Sequence, residues 1–256
     1  MTTTTHSRDD LMRPRIPRPL AIQLAKTEYA RMADTLAGLG PDDWSRPTDC
    51  TLWDVRQLAC HMIGMAHMVT TPLEMRRQSR KADAIAEAQG VDQLTAVTGL
   101  QVSERADWTT DDIVAGARKV GPKALRGRRL TPGFMRKRPF PNPQHVNGRD
   151  ESWSIGFLSD VILTRDPWMH RMDIAKAVNA EPLLTPDHDG VIVADVVAEW
   201  AERHGQPYSL TLTGPAGGSW TTGADGPTIE MGAIEFCRVV SGRGTAEGLL
   251  QTQVPF

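Results

Sequence analysis

The stretch LTRDPWMHRMDIAKAV, residues 163–178, sets Asp166 and His170 four residues apart, with Asp173 three further on. On a helix, residues at i and i+4 project from one face about a turn apart, and i+3 continues that face. Phe157, Leu158, Val161, Ile162, Met169 and Met172 recur at helical steps through the same region. This predicts a core helix over about 150–179 that carries a carboxylate and an imidazole among its apolar residues. Polar groups in such a place need partners, because burying them unpaired is costly. Pro167 sits between the two and removes one helix hydrogen bond. It either kinks the helix at the Asp166–His170 turn or begins a new helical segment.

Upstream, a second helix is expected from a cap at Thr51 or Asp49 to about Arg80, with Leu58, His61, Met62, Met65 and Val69 on one stripe. His61 facing Asp166 and His170 would complete a set of three donors from two helices, the way bundle cores commonly build metal sites. Three protein ligands leave a coordination position open, as expected of a catalytic rather than a structural zinc. His67 is the rival on this helix, but six residues is a poor spacing for sharing a face with His61. Spacing alone leaves other readings open: a hydrogen-bonded core histidine at 61 and a surface pair at 166 and 170. No HExxH signature is present. Two imidazoles and a carboxylate suit zinc, and also iron, nickel or manganese. Cys50, Cys60 and Cys237 form no CxxC pair and read as partly buried thiols, so thiol chemistry would need a thiol from elsewhere.

Around these two helices the chain divides by character. Residues 1–18, rich in Thr, Arg and Pro, read as a flexible arm. Helices are expected at about 19–39, 91–105 and 109–126, the last opened by Thr109, Thr110, Asp111 and Asp112. Residues 127–149 contain Pro132, Pro139, Pro141 and Pro143 with Arg128, Arg129, Arg136, Lys137 and Arg138. They read as a long basic loop: a solvated connection, or a lid or anion-binding segment. Beyond Pro182 come a helix at 187–204, strand-like runs YSLTLT (208–213), SWTT (219–222) and PTIEM (227–231), and a helix at 232–241. The expected class is α+β, with a helical metal-binding domain over 19–182 and a small α/β domain over 187–256.

The formal net charge of −2 over 256 residues gives no global field for nucleic acid or an anionic membrane. The basic segment raises a nucleic-acid reading, against which stand the slightly acidic balance and the lack of interleaved aromatics. No apolar h-region opens the chain and no apolar run reaches the length of a membrane span, so the expected location is cytoplasmic.

Three stretches together carry a family likeness. PTDCTLWDVRQLACHMIGM (47–65) resembles the Trp–x–Val–Arg–x–Leu–x–x–His motif of the mycothiol-dependent maleylpyruvate isomerase and DinB-like families. LTRDPWMHRMDIAKAV is similar to their second metal motif, an acid four residues before a histidine and followed by Asp. GGSWTTGADGPTIEMGAIEFCRVVSGRG (217–244), with the closing VPF, resembles the family's sterol-carrier-like C-terminal domain. The resemblance implies a DinB-like four-helix bundle with Zn2+ on His61, Asp166 and His170, followed by a small α/β domain. It implies mycothiol as thiol cosubstrate, and isomerase or S-transferase activity on a small electrophile: addition to a double bond, rotation and elimination for maleylpyruvate. The family acid is Glu where this chain has Asp166, a shorter side chain that would draw a metal toward its own helix. Arg238, or its neighbour Arg243, matches an arginine that the family's second domain gives to the active site, suited to a substrate carboxylate. Asp173 is placed to orient His170. The alternative is a protein of this fold that binds a metal or small ligand without turnover.

Overall fold

A computed structural model describes residues 11–256, and the first ten residues of the expected arm lie outside them. In chain order the elements are β1 (Leu11–Met12), α1 (Arg18–Ala37), α2 (Val55–Met68), α3 (Pro72–Gln89), α4 (Gln93–Ser103), α5 (Thr110–Leu130) and the short α6 (Gly133–Arg136). Next come β2 (Gln144–Val146), β3 (Arg149–Trp153), α7 (Ile155–Phe157), a π turn (Leu158–Ile162) and α8 (Leu163–Ala177). A second π turn (Pro186–Gly190) leads to α9 (Val191–His204), β4 (Tyr208–Thr213), β5 (Gly218–Thr222), β6 (Thr228–Gly232) and α10 (Ala233–Val240). The protein is α+β. No helix among the described residues is long and apolar enough to cross a membrane.

The backbone gathers into two compact units. One, the helical unit, joins Arg18–Met135 to Ser159–Glu181. The other takes the described residues up to Pro17, Arg136–Leu158 and Pro182–Phe256. A boundary does fall at 181/182, but the expected continuous helical domain over 19–182 does not hold, because 136–158 belongs with the C-terminal chain. The reasons are specific. Leu11 and Met12 pair parallel with Ser152 and Trp153, so part of the expected arm is a strand. Glu151 on β3 accepts both Arg203 terminal nitrogens from α9, at 2.5 and 2.9 Å. The expected long basic loop is likewise largely structured, as the end of α5, α6 and the β2–β3 hairpin.

In the helical unit, α1 packs on α5 and α8, α2 packs on α4, α5 and α8, and α3 packs on α4. The core includes Leu24, Met32 and Leu36 of α1, Leu58 and Met62 of α2, Ile113 of α5, and Trp168 and Met169 of α8. A buried ion pair joins α1 to α8, Arg171 Nε to Glu28 Oε1 at 2.9 Å. The expected second helix is two helices. Asp54, not Asp49 or Thr51, caps α2 in a capping box with Gln57. Helix α2 ends at Met68, and Thr71 is extended because a residue before proline is pushed toward extended backbone and Pro72 follows. Thr71 in turn caps α3 through Glu74 N at 3.1 Å.

Pro167 lies inside α8, four residues after Leu163, whose carbonyl therefore lacks its usual helix donor. That carbonyl accepts from Arg128 Nη1 of α5 at 3.0 Å, while Arg128 Nη2 donates to Thr164 Oγ1 at 2.7 Å. The arginine from the expected basic loop is thus buried, 2% exposed, and completes the helix that carries the site.

In the other unit β4 is central, antiparallel to β5 and parallel to β6. Leu210 and Leu212 of β4, Val193 and Val197 of α9, and Phe236 of α10 are buried. Trp200 of α9 meets Phe236 and Tyr208 edge-on and donates to Leu249 O at 3.0 Å.

Candidate metal centre

Helix α2 brings His61 inward and α8 brings Asp166 and His170 to meet it. Asp166 Oδ1 is 3.4 Å from His61 Nε2 and 3.3 Å from His170 Nε2. One donor atom from each residue fits within 4.8 Å of the others. His61 and His170 are 3% and 6% exposed. The outer nitrogens of both rings are already engaged: His61 Nδ1 with Gln101 Oε1 at 2.9 Å, and His170 Nδ1 with Asp173 Oδ2 at 3.1 Å. The rings meet edge-on with centroids 5.2 Å apart, and Trp53 lies 4.9 Å from His61. Asp166 Oδ2 is buried with no hydrogen-bond partner. Buried polar atoms without partners are rare, and a bound ion is one of the standard reasons for them. The donor set therefore fits a divalent metal of zinc type.

Electrostatics tie the three together. Burial pushes the Asp166 carboxyl up, but His170 and His61 outweigh it and hold the group well below the usual carboxylate range. Burial pushes His170 down, and Asp166, Asp173 and Cys50 together raise it well above the ordinary imidazole value. Asp166 and His170 thus each favour the charged form of the other.

The three ligands expected from the sequence, and Asp173, are thus brought together. His67 is not among them; it is half-exposed, with Nδ1 3.1 Å from Glu74 Oε1. Arg238 and Arg243 belong to the other unit, Arg238 on α10 and Arg243 in the turn after it. Arg238 is buried, and burial with the neighbouring Arg243 lowers its pKa. Arg243 N donates to Arg238 O at 2.8 Å and Arg243 Nη1 to Ser241 Oγ at 3.1 Å.

Two neighbours escaped the sequence reading. Cys50 Sγ stands 3.7 Å from both His170 Nδ1 and Asp173 Oδ2. Gln101 reaches His61 from α4, where Ala96, Val97 and Leu100 mark the buried side. A glutamine continuing that apolar stripe is the signal that would have found it.

The comparisons bear on the family and the fold. The family model for the mycothiol maleylpyruvate isomerase N-terminal domain matches residues 25–175, more than half of the chain. Two solved structures share the fold: a crystal structure of the mycothiol-dependent maleylpyruvate isomerase (15% identity, TM-score 0.56) and that of a histidine-to-alanine mutant (14%, 0.54). Each alignment covers 94% of this chain and 93% of the other. No curated protein sequence matches the chain. By the extent of the family match, the chain belongs to the mycothiol maleylpyruvate isomerase N-terminal-domain family.

Proposed function

We propose that the chain is a metal-dependent enzyme that uses a low-molecular-weight thiol, mycothiol by family, to isomerise a small electrophile or transfer the thiol to it. The observation that carries this reading is the convergence of His61 Nε2, His170 Nε2 and Asp166 Oδ1 while both Nδ1 atoms are held from outside. A structural zinc site closes its sphere with four protein ligands, whereas three leave room for a reacting group. His61, Asp166 and His170 would hold the ion. A divalent metal so held would supply Lewis acidity and keep a bound thiol deprotonated at neutral pH.

The chain's own residues do the rest. Asp173 accepts from His170 Nδ1, which leaves His170 Nε2 as the donor facing the site. Asp166 supplies the negative charge between two buried imidazoles, and its second oxygen is uncommitted. Trp53 covers one face of His61. Arg238 and Arg243, on the family resemblance, are assigned to a substrate carboxylate, which a guanidinium grips with two parallel hydrogen bonds. Maleylpyruvate, the substrate in the names of the related structures, is such an acid and is the first compound to try.

The test is metal content by plasma mass spectrometry on untagged wild-type protein beside His61→Ala and His170→Ala, followed by thiol-dependent turnover of maleylpyruvate. About one metal per chain, lost in both variants, with turnover that needs added mycothiol, is the expected result. Metal binding without thiol-dependent turnover would move the reading to a non-catalytic binding protein. A wild-type chain that takes up no metal would sink it.

A further inference from the structure

A file of buried amides runs outward from His61 through three helices. His61 Nδ1 meets Gln101 Oε1 at 2.9 Å. Gln101 Nε2 donates to Gln78 Oε1 at 3.0 Å, and also faces Met65 Sδ at 3.2 Å. Gln78 Nε2 donates to Glu74 Oε1 at 3.0 Å and to the Gly64 carbonyl at 3.3 Å. Gln78 and Gln101 are fully buried. At the far end Arg77 clamps Glu74 through Nε at 2.8 Å and Nη2 at 2.6 Å.

The direction of this file follows from chemistry. A carboxylate held by an arginine only accepts hydrogen bonds, and so does a helix carbonyl. Gln78 must therefore turn its amide nitrogen toward Glu74 and Gly64 O, which leaves its oxygen toward Gln101. Gln101 must then donate to Gln78 and present its own oxygen to His61. A histidine facing an acceptor at Nδ1 must carry its proton there. Its Nε2 is then the nitrogen turned toward Asp166 and available to an ion.

Backbone packing protects the arrangement. A Cβ on Gly64 of α2 would lie 2.4 Å from Gln101 Cβ and 2.5 Å from Cγ, so a glycine is what lets Gln101 pass. The same glycine's carbonyl anchors Gln78.

We propose that Gln101, aligned by Gln78 and Glu74, is a positioning residue that fixes His61 with its proton on Nδ1, and so selects Nε2 as the metal-binding nitrogen. This rests on the metal reading above, but the protonation pattern of His61 is measurable with or without a metal. Partners beyond the ligand that orient a histidine typically alter metal affinity by about 10–100-fold when removed.

The experiment is a long-range 1H–15N correlation of the histidine rings in full-length protein, metal-free and with zinc, together with zinc affinity by competition with a chromophoric chelator. Wild type should show a proton on His61 Nδ1 in both states, with zinc on Nε2. Gln101→Leu should weaken zinc by about 10–100-fold and change the His61 Nδ1–H signal while the His170 signals stay in place. Gln78→Met keeps the His61–Gln101 contact and removes only its alignment, so it should weaken zinc in the same direction by less; it also covers the case in which Gln101→Leu fails to fold. A bare Nδ1 on His61, or zinc bound through Nδ1, would overturn the proposal and leave the metal site standing. Wild-type zinc affinity and unchanged His61 signals in both variants would also overturn it. If wild type takes up no zinc, the metal reading fails separately, and the metal-free spectrum still decides whether Gln101 sets the Nδ1 proton.

Discussion

Arg128 stands where a proline has removed a helix donor, and replacing it tests that arrangement directly. Arg128→Leu leaves the Leu163 carbonyl and the Thr164 hydroxyl without their donor inside the bundle. Burying a polar group without its partner costs about 1–3 kcal/mol, with more where the donor is charged. The expected loss is about 2–4 kcal/mol in urea unfolding, and a variant as stable as wild type would mean the carbonyl finds another donor. At the functional end, Arg238→Lys and Arg243→Lys test the assigned carboxylate fork, which a lysine cannot reproduce. The expected outcome is a KM for a carboxylated electrophile raised about tenfold or more with metal content unchanged, since one charged hydrogen bond is worth about 1.5–3 kcal/mol. Equal KM values would remove the arginines from substrate binding. His61, Asp166 and His170 were legible in the sequence because their chemistry is unusual inside an apolar stripe and matches two family motifs. Gln78 and Gln101 were not read, because an uncharged amide on a helix has no chemical signature of its own, and only the apolar stripe that Gln101 continues sets it apart. Arg128 was read as part of a loop because no local feature announces that a carbonyl thirty-five residues later needs it.

Helices α3 and α4 pack through Ala82, Ala96 and Val97, and a cluster of charge adds a second tie between them. Arg77 donates to Glu74 and to Glu104, and Lys81 adds a contact to Glu104 at 2.8 Å. The Arg77 hydrogen bonds hold Glu74 and Glu104 down at about 2, against an ordinary value of 4.5. A carboxyl lowered on folding stabilises the native state fully above its unfolded value, and that stabilisation fades as pH falls from about 4.5 to about 2. The pairs are partly exposed, so each is worth about 1 kcal/mol or less. Wild type should therefore lose stability over that window, and Arg77→Met should flatten the loss while lowering stability at neutral pH. An unchanged slope in Arg77→Met would place the acid sensitivity elsewhere. This clamp was not legible in the sequence because α2 and α3 read there as one helix. Periodicity alone runs the second helix on to about Arg80, and only the Thr71–Pro72 pair, by conformational restriction rather than hydrophobicity, divides it. By contrast β4, β5 and β6 lie within one residue of their expected positions, since alternating residues bounded by glycines are a local signal.

Across the whole molecule, the α+β class was legible from the change of pattern beyond Pro182, while the membership of the two units was not. That membership depends on Leu11 pairing with Ser152 and on Glu151 pairing with Arg203, contacts between segments more than fifty and a hundred residues apart, which leave no periodic trace. The division bears on how a metal would show itself. His61 and Asp166 stand on α2 and α8, both in the helical unit, so an ion bridging them joins the two stretches of chain that compose it. An ion that binds only the folded state stabilises it by about 2.7 kcal/mol when free metal is a hundredfold above Kd. For a domain of about 150 residues, 1 kcal/mol moves the melting temperature by about 2–4 °C. Zinc added to chelator-stripped protein should accordingly raise the transition of the helical unit by about 5–10 °C, read by calorimetry. His61→Ala and His170→Ala should melt at the same temperature with and without zinc. A zinc response that survives both substitutions would locate the ion on other residues, and a stripped wild-type protein with no response would leave the convergence of three donors without an occupant.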